Sequence, residues 1–316
     1  MSAGPRDSSS DETPHRAGFA CLVGRPNTGK STLTNALVGT KVAITSRRPQ
    51  TTRHAIRGIL TRPDAQLILI DTPGFHRPRT LLGERLNEVV RSTYAEVDVI
   101  GLCIPADEKI GPGDRFIAAE LAKVPRTPVL ALVTKSDKVT RPELAEQLAA
   151  VDQLGRAGGP DFTDIVPVSA KQGEQLDTVE DLLIARLPEG PALYPEGELT
   201  DEPEQVMVAE LIREASLEGV QDELPHSIAV VVEEMGLREG RAADRPLLDI
   251  HATLYVERPS QKAIVIGAGG SRLRAVGSEG RRHIEALLGT PVYLDLHVTV
   301  AKDWQRDPKQ LRKLGF

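Results

Sequence analysis

The stretch GRPNTGKS, Gly24 to Ser31, constrains the fold of this chain more than any other feature. It matches the pattern GxxxxGK[ST] and lies between an apolar run, FACLV, and a helical run, TLTNALVG. In this context the pattern predicts a strand, a glycine-rich loop and a helix, with backbone N–H groups directed at phosphate oxygens. The dipole at the helix N-terminus also favours an anion there. The alternative is a glycine-rich turn that starts an ordinary helix.

Short apolar runs alternate with helical stretches from residue 19 to residue 187. FACLVG, LILID, VIGLCI, VLALVT and DIVPVS are nearly continuous in apolar character. Such runs are typical of strands in a parallel sheet that helices cover on both faces. AIRGIL, just before LILID, is expected to be an antiparallel edge strand. We therefore predict an α/β phosphate-loop domain with a mixed, mostly parallel sheet.

The motif DTPG, Asp71 to Gly74, follows the predicted strand LILID. A carboxylate at the end of a strand can hold Mg²⁺ through water, and the N–H group of Gly74 can sense a γ-phosphate. Lys30 is expected to reach the β- and γ-phosphates and Ser31 to bind Mg²⁺. DxxG alone is a common pattern, but its distance from the phosphate loop makes it informative here.

With these motifs the chain resembles the translation-factor-type GTPases and, more closely, the Era family. GRPNTGKSTLTNAL, ITSRRPQTTRH, LIDTPG, TKSD and VSAK occur in the family's order, and the resemblance covers nearly all of residues 19–316. It implies a GTPase that uses GTP/GDP and Mg²⁺. The residues that it assigns to the nucleotide are Gly24, Arg25, Pro26, Asn27, Thr28, Gly29, Lys30, Ser31, Thr32, Asp71, Thr72, Pro73, Gly74, Thr134, Lys135, Ser136, Asp137, Ser169, Ala170 and Lys171.

The resemblance also assigns roles in hydrolysis and metal binding. Thr52 would be the switch threonine whose hydroxyl joins Mg²⁺ when GTP is bound, with Thr51 as the alternative. The expected metal ligands are Ser31, Thr52 and Asp71. The expected catalytic residues are Lys30, Asn27, Thr52 and Gly74.

The motif TKSD has Thr134 where such GTPases usually have asparagine. Asp137 can accept hydrogen bonds from guanine N1–H and N2–H₂, a donor pair that adenine lacks. The stem of Lys135 can cover the base, and the N–H group of Ala170 can bind O6. An asparagine would add an amide and tie this loop to the phosphate loop, and a threonine hydroxyl keeps part of that function. We expect guanine specificity with weaker affinity; a permissive base site is the alternative.

Phe75 occupies the position at which Ras-like enzymes place a glutamine that orients water. Phenylalanine cannot do this. In the Era family and related GTPases, an asparagine of the phosphate loop can help bind potassium, and Asn27 matches it. The resulting hypothesis is that K⁺ near Asn27 supplies the positive charge of an arginine finger.

A second domain is predicted beyond residue 205, where the pattern becomes helix, strand, strand, helix, helix, strand. This is the order of a type II KH domain, an α+β fold that clamps about four nucleotides of single-stranded RNA at a GxxG loop. GAGG lies between the two adjacent helices. The middle positions are not basic, and only 3% of the chain is aromatic, so a backbone clamp is expected rather than base stacking. The predicted RNA-binding residues are Lys262, Gly267, Ala268, Gly269, Gly270, Arg272, Arg274 and Arg281.

Charge is distributed unevenly along the chain. The net charge is −6, yet residues 261–316 contain ten basic and five acidic residues. A basic end suggests a polyanionic partner, and an ordinary solvated surface is the alternative.

The predicted organisation is a disordered tail (1–16), a GTPase domain (17–188), a linker (189–204), a KH domain with its leading helix (205–303) and a basic carboxy-terminal tail (304–316). The resemblance implies binding of the single-stranded 3′ end of 16S rRNA and assistance in 30S assembly, with the 30S pre-ribosome as partner. A cytoplasmic monomer is expected, with peripheral contact to the cell membrane as a further expectation. The alternatives are a GTP-dependent switch at the membrane or on a protein partner, and a slow or non-hydrolysing nucleotide-dependent scaffold.

Overall fold

The amino-terminal domain is built on a six-stranded sheet. The computed structural model describes residues 14–45, 55–74, 80–124, 126–218, 227–242 and 244–316, so Thr51, Thr52 and Phe75 lie outside the described residues. Within them the strand order is β2-β3-β1-β4-β5-β6, with β2 antiparallel to β3 and the other pairs parallel. The first strand starts one residue before the expected domain boundary. The strands are Arg16–Val23 (β1), Ile56–Arg62 (β2), Ala65–Asp71 (β3), Val99–Pro105 (β4), Val129–Thr134 (β5) and Phe162–Val168 (β6).

Helices cover both faces of this sheet. Neighbouring residues of β1 enter opposite cores: Leu22 packs with Leu33, and Cys21 packs with Ile117. Because both faces are buried, each central strand is an almost continuous apolar run. The helices are Lys30–Val38 (α1), Leu81–Glu96 (α2), Pro112–Leu121 (α3), Arg141–Arg156 (α4) and Leu176–Ile184 (α5).

The second domain has a three-stranded sheet in the order β7-β8-β9. β7 is antiparallel to β8, and β8 is parallel to β9. The predicted element order and the predicted fold class are confirmed. In the described part of the chain, no helix is long and apolar enough to cross a bilayer. The elements are Glu204–Leu217 (α6), Ala229–Leu237 (β7), Leu248–Val256 (β8), Pro259–Ile266 (α7), Ser271–Leu288 (α8) and Val292–Val300 (β9).

The stretch 304–316, predicted as a basic tail, is instead folded onto both domains. It forms a 3₁₀ turn and a short helix, Pro308–Lys313 (α9). Trp304 is fully buried and stacks on Phe316, with 5.7 Å between the ring centroids. Leu82 of α2 belongs to the same apolar cluster. The basic residues of this stretch favoured the prediction of a tail, but the stretch is amphipathic and its apolar side chains are buried.

The linker is fixed along the edge strand β2. The Ile59 N–H group donates to the Leu199 carbonyl at 2.9 Å, as another strand would do. Nearby, the Arg57 guanidinium binds the Asp201 carboxylate at 2.8 Å. The segment that joins the two domains is therefore part of the folded structure.

Candidate functional site

Four loops meet at one edge of the larger sheet because they follow the carboxyl ends of β1, β3, β5 and β6. In the parallel register, Leu22 pairs with Asp71 and Thr134 pairs with Val168. Open α/β sheets bind ligands at this edge. The motifs GRPNTGKS, DTPG, TKSD and VSAK are thus brought together.

Lys30 is the first residue of α1, and its ammonium group lies inside the preceding loop. Its Nζ donates to the carbonyls of Gly24 at 3.1 Å and Arg25 at 2.8 Å. Burial lowers the pKa of Lys30, and the negative charge of Asp71 opposes this effect. A buried cation in a glycine-rich loop is suited to the oxygens of a nucleotide's β- and γ-phosphates.

The phosphate loop turns through residues in the left-handed conformation. Asn27 has a φ of 64° and Gly29 has a φ of 95°. Asparagine tolerates this conformation better than most residues with a side chain, and glycine adopts it freely. Such backbone turns let successive N–H groups converge on an anion. The local conformation accounts for asparagine at position 27.

Ser31 and Asp71 form an oxygen pair beside the loop. The Ser31 hydroxyl donates to Asp71 Oδ2 at 2.6 Å, and Asp71 is fully buried at the end of β3. Hydroxyl and carboxylate oxygens are ligands suited to Mg²⁺, which takes its remaining ligands from phosphate and water. The donor set therefore fits the expected metal, while the third expected ligand, Thr52, lies outside the described residues.

The DTPG motif is held tightly against the phosphate loop. The Thr72 hydroxyl is buried and donates to the Leu22 carbonyl at 2.8 Å. A Cβ atom at Gly74 would lie 2.9 Å from Pro26 Cγ and 3.0 Å from the Pro26 nitrogen. Since backbone cannot yield easily at such distances, position 74 requires glycine.

Thr134 ties the TKSD motif to the phosphate loop. It is buried at the end of β5, and its hydroxyl donates to the Thr28 carbonyl at 2.5 Å. An asparagine was expected to make a tie of this kind, and the threonine hydroxyl makes it here. Thr134 has no side-chain amide, but its hydroxyl keeps the connection between the two loops.

TKSD and VSAK are joined by their side chains. Ser169, which is buried, donates to Asp137 Oδ1 at 2.6 Å. Lys135 has a φ of 58°, and its Nζ lies 3.4 Å from the Glu108 carboxylate. A residue with a side chain is uncommon in this left-handed region, and such strain is concentrated at functional sites. The motif is thus held in one conformation by its neighbours.

Some motif residues direct their side chains away from this centre. The Arg25 guanidinium binds the buried Asp114 at 2.7 Å and the Glu108 carboxylate at 3.1 Å, so its backbone alone lines the loop. The side chains of Thr32 and Lys171 are exposed. The sequence did not predict the Arg25–Asp114 pair, because the two residues are far apart in the chain and Asp114 belongs to no recognised motif.

The GAGG loop forms the start of α8. Gly267, Gly269 and Gly270 have φ values of 71°, 57° and 75°, and Ala268 and Gly269 are exposed. The left-handed conformation of Gly269 explains why a basic side chain is absent there, because it would be strained. An exposed loop at a helix N-terminus is well suited to a phosphate backbone.

The predicted basic residues differ in their positions. Arg274 is exposed, and its Nη1 would lie 3.3 Å from a Cβ atom on Gly270, so it borders the loop. Arg281, also exposed, follows two helical turns later on the same face. Arg272 instead donates to the carbonyls of Ser216 at 3.2 Å and Glu218 at 2.7 Å. Lys262 is half-buried on α7.

Fold and site together define a phosphate-loop GTPase joined to a KH domain. A family model described as "50S ribosome-binding GTPase" matches residues 19–135, and one described as "KH domain" matches residues 223–305.

The chain is also similar to whole proteins over almost its full length. The chain is 73% identical over 305 residues to GTPase Era of Streptomyces coelicolor, covering 96% of each chain. It is 66% identical over 305 residues to GTPase Era of Mycolicibacterium smegmatis, covering 96% of this chain and 100% of the relative. The chain belongs to the Era family of GTPases.

Two solved structures are similar over both domains. One is Era in complex with MgGDPNP and nucleotides 1506–1542 of 16S ribosomal RNA, with a TM-score of 0.89 and 37% identity, covering 95% of this chain and 99% of that one. The other is a variant of Aquifex aeolicus Era bound to GDP·AlF₄⁻, with the same TM-score, 36% identity and the same coverage. A score this high over both domains requires a similar placement of the two domains.

The Thr134 contact gives the first prediction. Thr134→Val removes the hydroxyl with little change in shape and leaves the buried Thr28 carbonyl without this donor. An unsatisfied buried acceptor costs about 1–3 kcal/mol of folding stability, so the phosphate loop should be held less firmly and GTP affinity should fall. Calorimetric titration with GDP and a GTP analogue measures this. The control is Thr163→Val, an exposed threonine on β6 whose hydroxyl also donates to a carbonyl. Equal affinities in both variants would show that the tie does not support the site.

Proposed function

We propose that this GTPase binds the single-stranded 3′ end of 16S rRNA and assists assembly of the 30S ribosomal subunit. The observation that carries the proposal is the exposed GAGG loop at the start of α8, in a KH domain joined to a GTPase domain. It is supported by the similarity of both domains to Era in complex with MgGDPNP and a 16S rRNA segment. A cytoplasmic monomer and peripheral membrane contact stay predictions of the resemblance.

The small subunit is a better candidate than the large one. The family model described as 50S ribosome-binding matches residues 19–135 and does not extend to the KH domain. The solved structure that contains 16S rRNA is similar over 95% of this chain. Because the proposed RNA contact is made by the KH domain, the comparison that includes this domain is the more informative one.

In the proposed nucleotide complex, Lys30 binds the β- and γ-phosphates, and the Gly74 N–H group faces the γ-phosphate. Ser31 and Asp71 would hold Mg²⁺, with Thr52 as a further ligand. The metal would neutralise the negative charge that develops on the phosphates. The contribution of the chain itself is a rigid, partly buried set of donors, which does not have to reorganise during the reaction.

We further propose that Asp137 reads guanine. Asp137→Asn should shift preference from GTP towards XTP, because an amide N–H replaces an oxygen that accepted from the base. Competition among GTP, XTP and ATP measures the preference. Lys138→Ala, at an exposed residue directly after the motif that pairs with Asp107, is the control. Unchanged selectivity in the asparagine variant would contradict this assignment.

Potassium is proposed to assist hydrolysis at Asn27. The asparagine lies in the left-handed turn of the phosphate loop, and a cation there would be close to the transferred phosphate. Replacing K⁺ with Na⁺ should slow GTP hydrolysis, and Asn27→Ala should remove the difference. The readout is phosphate release at constant ionic strength. Equal wild-type rates in the two salts would exclude this role and leave activation to a partner.

The RNA proposal predicts that nucleotide state changes RNA affinity. A short oligonucleotide from the 16S rRNA 3′ end should bind more tightly with a non-hydrolysable GTP analogue than with GDP. A typical coupling is about 1–3 kcal/mol, or roughly 5- to 150-fold. Gly270→Asp should abolish binding in both states, because it places a carboxylate where phosphate must approach. Fluorescence anisotropy of the labelled oligonucleotide measures both effects.

Gly289→Asp is a matched control for that variant. Gly289 ends the same helix with a φ of 64°, close to the 75° of Gly270, so the two substitutions carry similar backbone strain. RNA binding should survive in the control variant. Equal loss in both variants would contradict a role for the GAGG loop. Crosslinking and sequencing of bound RNA in cells then distinguishes 16S rRNA from 23S rRNA and from no RNA at all.

A further inference from the structure

The carboxylate of Glu214 on α6 is a buried contact between the two domains. Its Oε2 accepts from Lys41 Nζ at 2.5 Å, and its Oε1 accepts from the Thr45 backbone N–H at 2.8 Å and from the Thr45 hydroxyl at 3.3 Å. Glu214 is only 4% exposed. Lys41 and Thr45 belong to the GTPase domain and follow α1, the helix that begins with the phosphate-loop lysine.

An apolar contact accompanies this polar one. Ile44 is 1% exposed and lies in the core cluster of the KH domain, with Val208 and Leu211 of α6. One short segment of the GTPase domain is thus inserted into the KH domain beside the Glu214 carboxylate. Ile44 and Thr45 are the first two residues of ITSRRPQTTRH, the stretch that contains the expected switch residue Thr52.

Helix α6 is also joined to α8, the helix that follows the GAGG loop. Arg272, in the first turn of α8, donates to the Ser216 and Glu218 carbonyls at the end of α6. Further along α8, a Cβ atom on Gly280 would contact Ile212 of α6 at 3.6 Å. The two helices therefore pack closely, and a shift of α6 would be transmitted to the start of α8.

His283 of α8 completes the surroundings of Glu214. Its Nδ1 lies 3.6 Å from Glu214 Oε2, and its Nε2 lies 3.0 Å from Glu279. Burial, followed by the positive charge of Lys41, lowers the pKa of His283, and Lys41 rather than His283 is within hydrogen-bond distance of Glu214. The positive charge that faces Glu214 therefore comes from Lys41, on the GTPase side.

Burial of the Glu214 carboxylate makes loss of this contact costly. If Lys41 and Thr45 withdraw, the charge must be rehydrated or find other donors, because an unpaired buried charge is strongly unfavourable. Intermediate positions of the segment are disfavoured for the same reason. Coupling between two sites can be carried by an element whose arrangement both sites bias, and the segment 41–45 joins the end of α1 to α6.

We propose that Glu214 is the positioning residue through which the nucleotide state of the GTPase domain sets the RNA affinity of the KH domain. This inference rests on the proposed function, since it assumes that RNA affinity depends on the bound nucleotide. According to this proposal, Glu214 holds the segment 41–45 in one nucleotide state and releases it in the other. α6 then carries the difference to α8 and the GAGG loop.

The test compares RNA affinity with a GTP analogue and with GDP in two variants. Glu214→Ala removes the acceptor, and Glu214→Gln keeps an oxygen for Thr45 but removes the charge that faces Lys41. The ratio of the two affinities should fall to within about twofold of unity in the alanine variant and to an intermediate value in the glutamine variant. Affinity for GDP itself should stay within about twofold of wild type, because Glu214 lies outside the nucleotide site.

Asp201→Asn is the matched control. This variant also removes a negative charge that contacts the GTPase domain, because Asp201 binds Arg57. Unlike Glu214, however, Asp201 lies in the linker before α6. This variant should keep the wild-type ratio. If Glu214→Ala does not fold, as judged by thermal unfolding, Lys41→Met removes the same ion pair from its more exposed side. Lys41→Met should lower the ratio of the two RNA affinities as much as Glu214→Gln does. The variant with both substitutions should show no further decrease.

The outcomes separate this inference from the proposed function. A wild-type ratio above about fivefold that persists in folded Glu214→Ala, or in Lys41→Met, overturns the role of Glu214 and leaves the proposed function intact. A wild-type ratio of one, with tight RNA binding, overturns nucleotide coupling and the role of Glu214 together. A ratio that falls equally in Asp201→Asn would show that any loosened domain contact has the effect, and would overturn the specific role of Glu214.

Discussion

The parallel pairing of β1 with β3, and of β5 with β6, is the constraint on which the rest of the structure depends. It places the ends of these strands at one edge, so that a loop after each of them contributes to the same site. The strands are buried on both faces, and hydrogen bonds between the loops then fix the details. Thr134 binds the phosphate loop, Thr72 binds β1, and Ser169 binds Asp137. The nucleotide site is therefore rigid because its parts are attached to one another as well as to the sheet.

The same domain makes two kinds of contact with the KH domain. Helix α2, which follows the DTPG region in the chain, places Leu82 in the apolar cluster around Trp304. The segment after α1 places Ile44 in the KH core and binds Glu214. The regions that follow the GRPNTGKS and DTPG motifs in the chain are thus both in contact with the KH domain. Interfaces within a chain usually permit domain motion, and in the coupling proposed above the buried Glu214 carboxylate opposes partial separation of this one.

Much of this could be predicted from sequence because the informative signals are local. Strand, loop and helix follow one another in the sequence around the phosphate loop. GAGG likewise lies between two helices, α7 and α8, that are adjacent in the sequence. The contacts that join these motifs were not predictable, since they depend on side chains that are distant in the chain. In the Arg25–Asp114 and Thr45–Glu214 pairs, the acidic partner belongs to none of the recognised motifs. Trp304 was passed over because the charge of its neighbours favoured a solvated tail, although the chain's only tryptophan was a signal of a buried position.

The coupling proposed between the nucleotide site and the GAGG loop would make them parts of one structure. It is tested most directly by titrating a GTP analogue into the protein with and without a saturating oligonucleotide from the 16S rRNA 3′ end. Because coupling between two binding sites is reciprocal, RNA should raise the affinity for the analogue, relative to GDP, by the factor by which the analogue raises RNA affinity. Nucleotide affinities that RNA leaves unchanged, in a protein saturated with RNA, would contradict the account.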